Sequence, residues 1–196
     1  SQHRSRWDGR MRHTASSLAV LVVVMLGAAG CAPGGSAATP GIRPVSTAEQ
    51  GEAPDGTTAF DDGVPAVARL DPALRAALQA ASTRAAEDGL TLRINSGWRS
   101  PEYQERLLQD AVARYGSREE AARWVATPET SAHVSGDAVD VGPWDAAYWL
   151  DRYGDAFGLC RIYVNEPWHF ELRPEAVTEG CPQQYLDPTE DPRMQG

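Results

Sequence analysis

Lysine is absent from this sequence, because all 18 basic residues are arginine. A chain without lysine cannot form a lysine Schiff base, and it cannot supply the lysine of a phosphate-binding P-loop. Cysteine is scarce, with three residues, and the apolar run from Leu18 to Leu26 is too short to span a bilayer comfortably as a helix. These absences exclude two enzyme classes and a membrane span in that run.

The length and charge of the chain narrow its class further. A chain of 196 residues with 42% hydrophobic content can form one domain with a real core. Residues 31–196 contain 14 arginines and 26 acidic residues, which gives this part a net charge of −12. Such a surface repels nucleic acid and anionic lipid headgroups, so we expect no nucleic-acid partner. We also expect a monomer.

The first 30 residues are typical of a secretory signal peptide. Arg10 and Arg12 precede the apolar run, and small residues at 27–30 lead to Cys31. The ending Ala-Ala-Gly-Cys resembles the lipobox of bacterial lipoproteins, which predicts a lipid on Cys31 as the only attachment to the membrane. Ordinary cleavage nearby is the alternative. We therefore expect an extracytoplasmic protein that either faces the cell wall from the membrane or is secreted.

Composition divides the rest of the chain into three parts. Residues 31–66 are rich in Pro, Gly, Ser, Thr and Ala without an apolar period, which predicts a disordered linker that is either lipid-anchored or free. Residues 67–181 form the predicted domain. Residues 182–196 contain three prolines and many acids, and a flexible tail is expected there.

Two of the three cysteines form a pair inside the domain. If Cys31 carries lipid, Cys160 and Cys181 remain, and an oxidising compartment favours a disulfide between them. Two buried free thiols are the alternative that a cytosolic location would favour.

Helix and strand signals predict an α+β domain with a small antiparallel sheet packed by helices. Asp71-Pro72 and Ser100-Pro101 each begin a helix, and Ser117 with Glu120 reads as a capping box for a short one. Residues 145–156 form a further predicted helix. Strands are expected over residues 90–95, 139–141, 160–164 and 168–172.

The chemistry is concentrated in two runs, residues 131–140 and 166–169. They contain His133 and His169, the only histidines of the domain, together with Asp140 and Glu166. Two imidazoles, one carboxylate ligand and a spare glutamate are the inventory of a catalytic zinc site with a general base. Gly136 allows a turn that brings His133 and Asp140 together.

These runs also carry a family resemblance. The pattern Ser-x-His-x-x-Gly-x-Ala-x-Asp followed by Glu-x-Trp-His resembles the zinc D-alanyl-D-alanine carboxypeptidases of the VanY type, which belong to the Hedgehog-like D,D-peptidases. The similarity covers residues 67–175 and implies that His133, Asp140 and His169 bind Zn²⁺. Glu166 matches the catalytic base of these enzymes.

The resemblance implies further roles and a substrate. Arg99 matches the arginine that contacts the scissile carbonyl, Gln104 matches a pocket glutamine, and Ser131 matches a substrate-contacting serine. The implied activity is zinc-dependent hydrolysis of the terminal D-alanyl-D-alanine bond of peptidoglycan stem peptides, which releases D-alanine.

Other functions remain open at this point. Related D,D-dipeptidases and peptidoglycan endopeptidases share the motif, and a non-catalytic, zinc-containing wall-binding module is a third alternative. Two histidines with one carboxylate also make an Fe(II) oxygenase triad. The export signal and Glu166 argue against the oxygenase, and Glu166 and Arg99 argue against the binding module, because structural zinc needs neither.

Overall fold

The computed structural model describes residues 45–194. The signal peptide predicted over residues 1–30, the lipidation site predicted at Cys31 and residues 31–44 of the predicted linker lie outside the described residues. In the part of the chain that the structure describes, no helix has both the length and the apolar character needed to cross a bilayer.

The described residues form seven α-helices and four strands. In chain order the elements are α1 Pro65–Ala68, α2 Pro72–Glu87, β1 Arg93–Ser96, α3 Pro101–Tyr115, α4 Arg118–Ala121, α5 Ala132–Ser135, β2 Ala138–Gly142, α6 Trp144–Tyr153, β3 Leu159–Arg161, β4 His169–Leu172 and α7 Ala176–Glu179. Single 3-10 turns cover Gly154–Phe157, Pro188–Glu190 and Pro192–Met194. The α+β prediction is confirmed.

The two long helices begin where their capping residues predict. The Asp71 carboxylate accepts hydrogen bonds from the backbone N–H groups of Ala73 and Leu74, which satisfies two of the free donors of α2. Ser100 caps α3 in the same way by accepting from the N–H of Tyr103. The predicted helix over residues 145–156 is α6 followed by a 3-10 turn, so its last residues are wound more tightly than expected.

The four strands form one antiparallel sheet in the order β1-β2-β4-β3. Alternation along β2 and β4 separates two faces. One face carries Val139, Val141 and Phe170, which join the core made with α2 and α6. The opposite face carries Asp140, His169 and Glu171, so the sheet places the chemistry on the side away from the apolar core.

The predicted linker is wrong over residues 45–66, because this segment packs against the domain. Ala59 and Ala66 are fully buried. Gly51 has φ +104°, and a Cβ atom there would lie 2.1 Å from the carbonyl oxygen of Trp98. A composition rich in small residues suggests a linker, but here the small residues allow this segment's backbone to pack closely against the backbone of the domain.

The predicted flexible tail is wrong over residues 182–194 for a related reason. Tyr185 forms a parallel β-bridge with Tyr163, and Asp187 pairs with Arg123 at 2.9 Å. Asp191 is fully buried. The prolines at 188 and 192 begin 3-10 turns. Asp191 pairs with Arg193 of the same segment, and Arg193 in turn contacts Glu171 of β4.

The predicted disulfide between Cys160 and Cys181 is present. It joins Cys160 of β3 to Cys181, which lies between α7 and the C-terminal segment, residues 182–194. The bond therefore anchors the start of that segment to the sheet.

Candidate metal centre

Three side chains from three different elements converge on one point. His133 lies on α5, Asp140 on β2 and His169 on β4, and all three are buried. Asp140 Oδ1 is 3.4 Å from His133 Nε2 and 3.3 Å from His169 Nδ1. The two ring nitrogens are 3.3 Å apart, so the three atoms form a nearly equilateral triangle.

The triangle fits a tetrahedral metal ion. With metal–ligand bonds of about 2.0–2.1 Å, neighbouring ligands of a tetrahedron lie about 3.3–3.4 Å apart. Asp140 Oδ1 is buried and has no hydrogen-bond partner among the described residues, a costly state that a cation would relieve. These residues therefore suit a metal with nitrogen and oxygen ligands and one open coordination position.

Each histidine is oriented by a partner on its far side. His133 Nδ1 lies 2.8 Å from the carbonyl oxygen of Gly97, and since a carbonyl only accepts, Nδ1 donates and Nε2 is left bare. His169 Nε2 lies 3.2 Å from Glu171 Oε1 and donates to it, which leaves Nδ1 bare. Such outer partners set the tautomer that a metal ligand needs.

The electrostatics of the site favour a cation. Burial would raise the pKa of Asp140, yet the two histidines and Arg99 hold it well below its usual range. Burial would lower the pKa of His169, but the neighbouring carboxylates of Asp140 and Glu171 outweigh it and raise that pKa to about 10. The surroundings of His169 are thus strongly negative. By contrast, burial and the nearby Arg99 lower the pKa of His133.

Glu166 stands beside the triangle without being part of it. It lies in the connection between β3 and β4, and its Oε2 is 3.7 Å from His169 Nδ1. Burial raises the pKa of its carboxyl to about 7, while His169 opposes this and Asp140 adds to it. A carboxylate with a pKa near neutrality can both accept and return a proton.

Arg99 connects the metal centre to the wall of the cavity. Its Nη2 donates to Asp140 Oδ2 at 2.9 Å, and its Nη1 donates to Gln104 Oε1 at 3.0 Å. Gln104, on α3, is buried and uses its amide nitrogen to bond the Ala126 carbonyl at 2.9 Å. Gln104 therefore holds Arg99, as does Ser96, whose Oγ accepts from Arg99 Nε at 2.8 Å. One N–H on each terminal guanidinium nitrogen is left for a ligand.

One cavity of about 340 Å³ contains the site. Every residue predicted for catalysis, substrate binding or metal binding lines it: Arg99, Gln104, Ser131, His133, Asp140, Glu166 and His169. Ser131 precedes α5, and its side chain makes no capping hydrogen bond to that helix. The cavity has the size and mixed polarity of a small-ligand site.

Glu171 and the arginines that hold it also belong to the site, although neither sequence motif includes them. Glu171 is fully buried and accepts from Arg173 and Arg193, each at 2.7 Å. The sequence could have indicated Glu171, because residues two apart on a strand share a face and Glu171 follows His169 by two positions. Arg193 could not be found in this way, because its contact crosses 22 residues of chain.

Fold and site together define a class: an α+β protein with a buried two-histidine, one-carboxylate metal centre. This centre opens to a cavity and has a carboxylate beside it. The family model described as VanY, D-alanyl-D-alanine carboxypeptidase, matches residues 67–157. That range contains His133 and Asp140 and ends before Glu166 and His169.

Individual proteins of known structure or activity are also similar to this chain. A D-alanyl-D-alanine carboxypeptidase of Enterococcus faecalis (strain ATCC 700802 / V583) is 32% identical over 150 residues, covering 61% of this chain and 56% of the relative. A crystal structure of the vancomycin-resistance D,D-pentapeptidase VanY, a mutant from a VanB-type cassette in complex with Zn(II), is 30% identical with a TM-score of 0.53. The match covers 56% of this chain and 76% of that chain.

A second solved structure, VanYB in complex with D-alanine-D-alanine, is 30% identical with a TM-score of 0.52, and the match covers 56% of this chain and 75% of that chain. The chain therefore belongs to the VanY family, and the resemblance inferred from the two motifs is confirmed. The match spans just over half the length of the Enterococcus relative.

Proposed function

We propose that this protein is a zinc-dependent D,D-carboxypeptidase, which hydrolyses the terminal D-alanyl-D-alanine bond of peptidoglycan stem peptides and releases D-alanine. One observation carries the proposal. The His133, Asp140 and His169 ligand atoms form a triangle of tetrahedral size, and the Glu166 carboxylate lies 3.7 Å from one corner of it. The family and the two neighbours with Zn(II) and with D-alanine-D-alanine support the metal and the substrate.

Zinc, when bound, supplies a Lewis acid that acidifies water and polarises the carbonyl of the scissile bond. An Fe(II) oxygenase would use the same three ligands, but it needs no carboxylate in the position of Glu166. The placement of Glu166 therefore favours hydrolysis.

Glu166 is the proposed general base and then the general acid. Its carboxylate accepts a proton from the attacking water as the water oxygen bonds to the carbonyl carbon. It returns the proton to the amine nitrogen when the carbon–nitrogen bond breaks, and D-alanine leaves. Burial supports both halves of this cycle, because it raises the pKa of Glu166 to about 7.

The cavity wall provides the proposed substrate contacts. Arg99 has two N–H groups beyond those bonded to Ser96, Asp140 and Gln104, and we assign these two to the developing oxyanion. Gln104 holds Arg99 and closes this side of the cavity. Ser131, on the cavity wall beside His133, is assigned to the peptide end of the substrate.

We further propose that the protein acts outside the cytoplasmic membrane as a monomer, attached through a lipid on Cys31 or released after signal cleavage. The Cys160–Cys181 disulfide supports an oxidising compartment. The net charge of −12 over residues 31–196 supports a partner other than nucleic acid.

Mass spectrometry of the products from a defined pentapeptide stem ending in D-alanyl-D-alanine tests the activity. We expect free D-alanine and a tetrapeptide in the presence of zinc, and no product after chelation. The Glu166→Gln variant is the matched control, since it keeps the three ligands and removes the base. Release of a dipeptide or an internal fragment would replace the carboxypeptidase with a dipeptidase or an endopeptidase, and bound zinc without any product would indicate a wall-binding module.

A further inference from the structure

We infer that Arg193 is a positioning residue of the metal centre: it holds the carboxylate plane of Glu171, and Glu171 orients His169. The inference rests on the proposed function only in requiring a metal ion on the three ligands. It assigns to the C-terminal segment, residues 182–194, a part in the site that neither the family match over residues 67–157 nor the motifs include.

Glu171 is the residue through which the segment reaches the metal centre. It is fully buried, and its Oε1 accepts from His169 Nε2 at 3.2 Å. The direction of this hydrogen bond decides where Nδ1 of the same ring points. A rotation of the Glu171 carboxylate would therefore turn or release the ligand ring.

Arg173 alone cannot prevent that rotation. Its Nη2 donates to a single oxygen, Glu171 Oε2, at 2.7 Å, and one contact leaves the carboxylate able to turn about its terminal bond. Arg193 contacts both oxygens, with Nη1 at 2.7 Å from Oε2 and Nη2 at 3.2 Å from Oε1. A planar guanidinium on two oxygens fixes the plane of the carboxylate.

Arg193 is itself held in place. Its Nε lies 3.0 Å from Asp191 Oδ2, and the fully buried Asp191 also accepts from the Tyr163 hydroxyl at 2.9 Å. The Tyr163 ring packs against the His169 ring with a centroid distance of 5.2 Å. The C-terminal segment thus supports His169 at two points, through Glu171 at its Nε2 edge and through Tyr163 at its ring.

Arg193 is exposed enough to be replaced without opening the core. Its side chain is 44% exposed, so its removal opens space to solvent and leaves no cavity in the apolar core. Arg84, which is 48% exposed and pairs with Asp88 at 2.9 Å at the end of α2, is the matched control. It offers an arginine of similar exposure in an ion pair that does not touch the metal centre.

The test is the equilibrium affinity for Zn²⁺, measured by competition with a chromophoric chelator at a temperature well below unfolding of every variant. We expect Arg193→Ala to raise the zinc Kd about tenfold, the lower end of the effect of losing an outer partner of a metal ligand. Arg193→Lys, which keeps the charge but can hydrogen-bond only one oxygen of Glu171 at a time, should give an intermediate zinc Kd. Arg84→Ala should leave the Kd unchanged.

A double-mutant cycle with Glu171→Gln separates positioning from general support of the fold. If Arg193 acts through Glu171, removing it from the Glu171→Gln background should change the zinc Kd less than twofold. An undiminished effect in that background would overturn the inference. So would a wild-type Kd in Arg193→Ala, even if its zinc-free form melts at a lower temperature.

The wild-type protein distinguishes this inference from the proposed function. If the wild type binds zinc and releases no D-alanine, the proposed activity fails, and the Kd comparison still decides the role of Arg193. If the wild type releases D-alanine and Arg193→Ala matches it in zinc affinity, the proposed function stands and the inference fails.

Discussion

Asp140 and His169 are direct partners in the antiparallel pairing of β2 with β4, which places Oδ1 of the aspartate 3.3 Å from Nδ1 of the histidine. A slip of one residue would set Asp140 opposite Phe170, whose side chain belongs to the apolar face. The strand register that builds the core therefore also builds the metal centre, and the predictions below follow from that coupling.

Replacement of Glu166 with alanine should remove nearly all turnover while zinc stays bound. Glu166 is not one of the three ligands, and general-base assistance contributes roughly 10²–10⁴-fold. The measurements are kcat and zinc content by metal analysis. His169→Ala is the contrasting variant and should lose the zinc itself. Unchanged hydrolysis by zinc-loaded Glu166→Ala would remove Glu166 from the reaction.

Replacement of Arg99 with alanine should lower kcat by roughly 10²–10³-fold, as expected for a lost oxyanion donor. Arg99 also bonds Asp140 Oδ2, so some loss of zinc affinity should accompany the change. Assays at saturating zinc separate the two effects, and we expect kcat to stay low there. Recovery of full activity with excess zinc would limit Arg99 to holding Asp140.

The Cys160→Ser/Cys181→Ser double variant should unfold more easily. The disulfide closes a loop with a sequence separation of 21, for which the chain-entropy model gives roughly 3 kcal/mol. That loop contains Glu166 and His169, so zinc should offset part of the loss. Thermal melting should show a larger decrease in Tm with chelator present. Thiol titration of the denatured, unreduced wild-type protein should find neither Cys160 nor Cys181 reactive.

Replacement of Gly136 with alanine should destabilise the protein more than the same change at Gly116. Both glycines have positive φ, +84° and +87°, and a Cβ at either position meets backbone strain of about 1–2 kcal/mol. At Gly136 the Cβ would also lie 2.6 Å from the Arg69 carbonyl oxygen, whereas at Gly116 nothing lies within 4 Å. Urea unfolding measures both, and equal losses would show that the close approach is tolerated.

Local sequence patterns account for the helix starts and for the chemistry of the site. Asp71 and Ser100 cap the two long helices where the capping signals place them. The spacing of His133 and Asp140 around Gly136 predicts their convergence, and the structure brings them to 3.4 Å. These features could be predicted because each depends on residues within about ten positions of one another.

Only the tertiary structure shows which segments distant in sequence pack together and which of their side chains pair. Residues 45–66 and 182–194 have linker-like composition, yet both pack against the domain. The hydrogen bonds from Arg193 to Glu171 and from Arg123 to Asp187 cross 22 and 64 residues of chain. No local period encodes such pairs. These side chains come within ion-pair distance only after the sheet has formed. Removal of one partner then leaves a buried charge unpaired, which is costly.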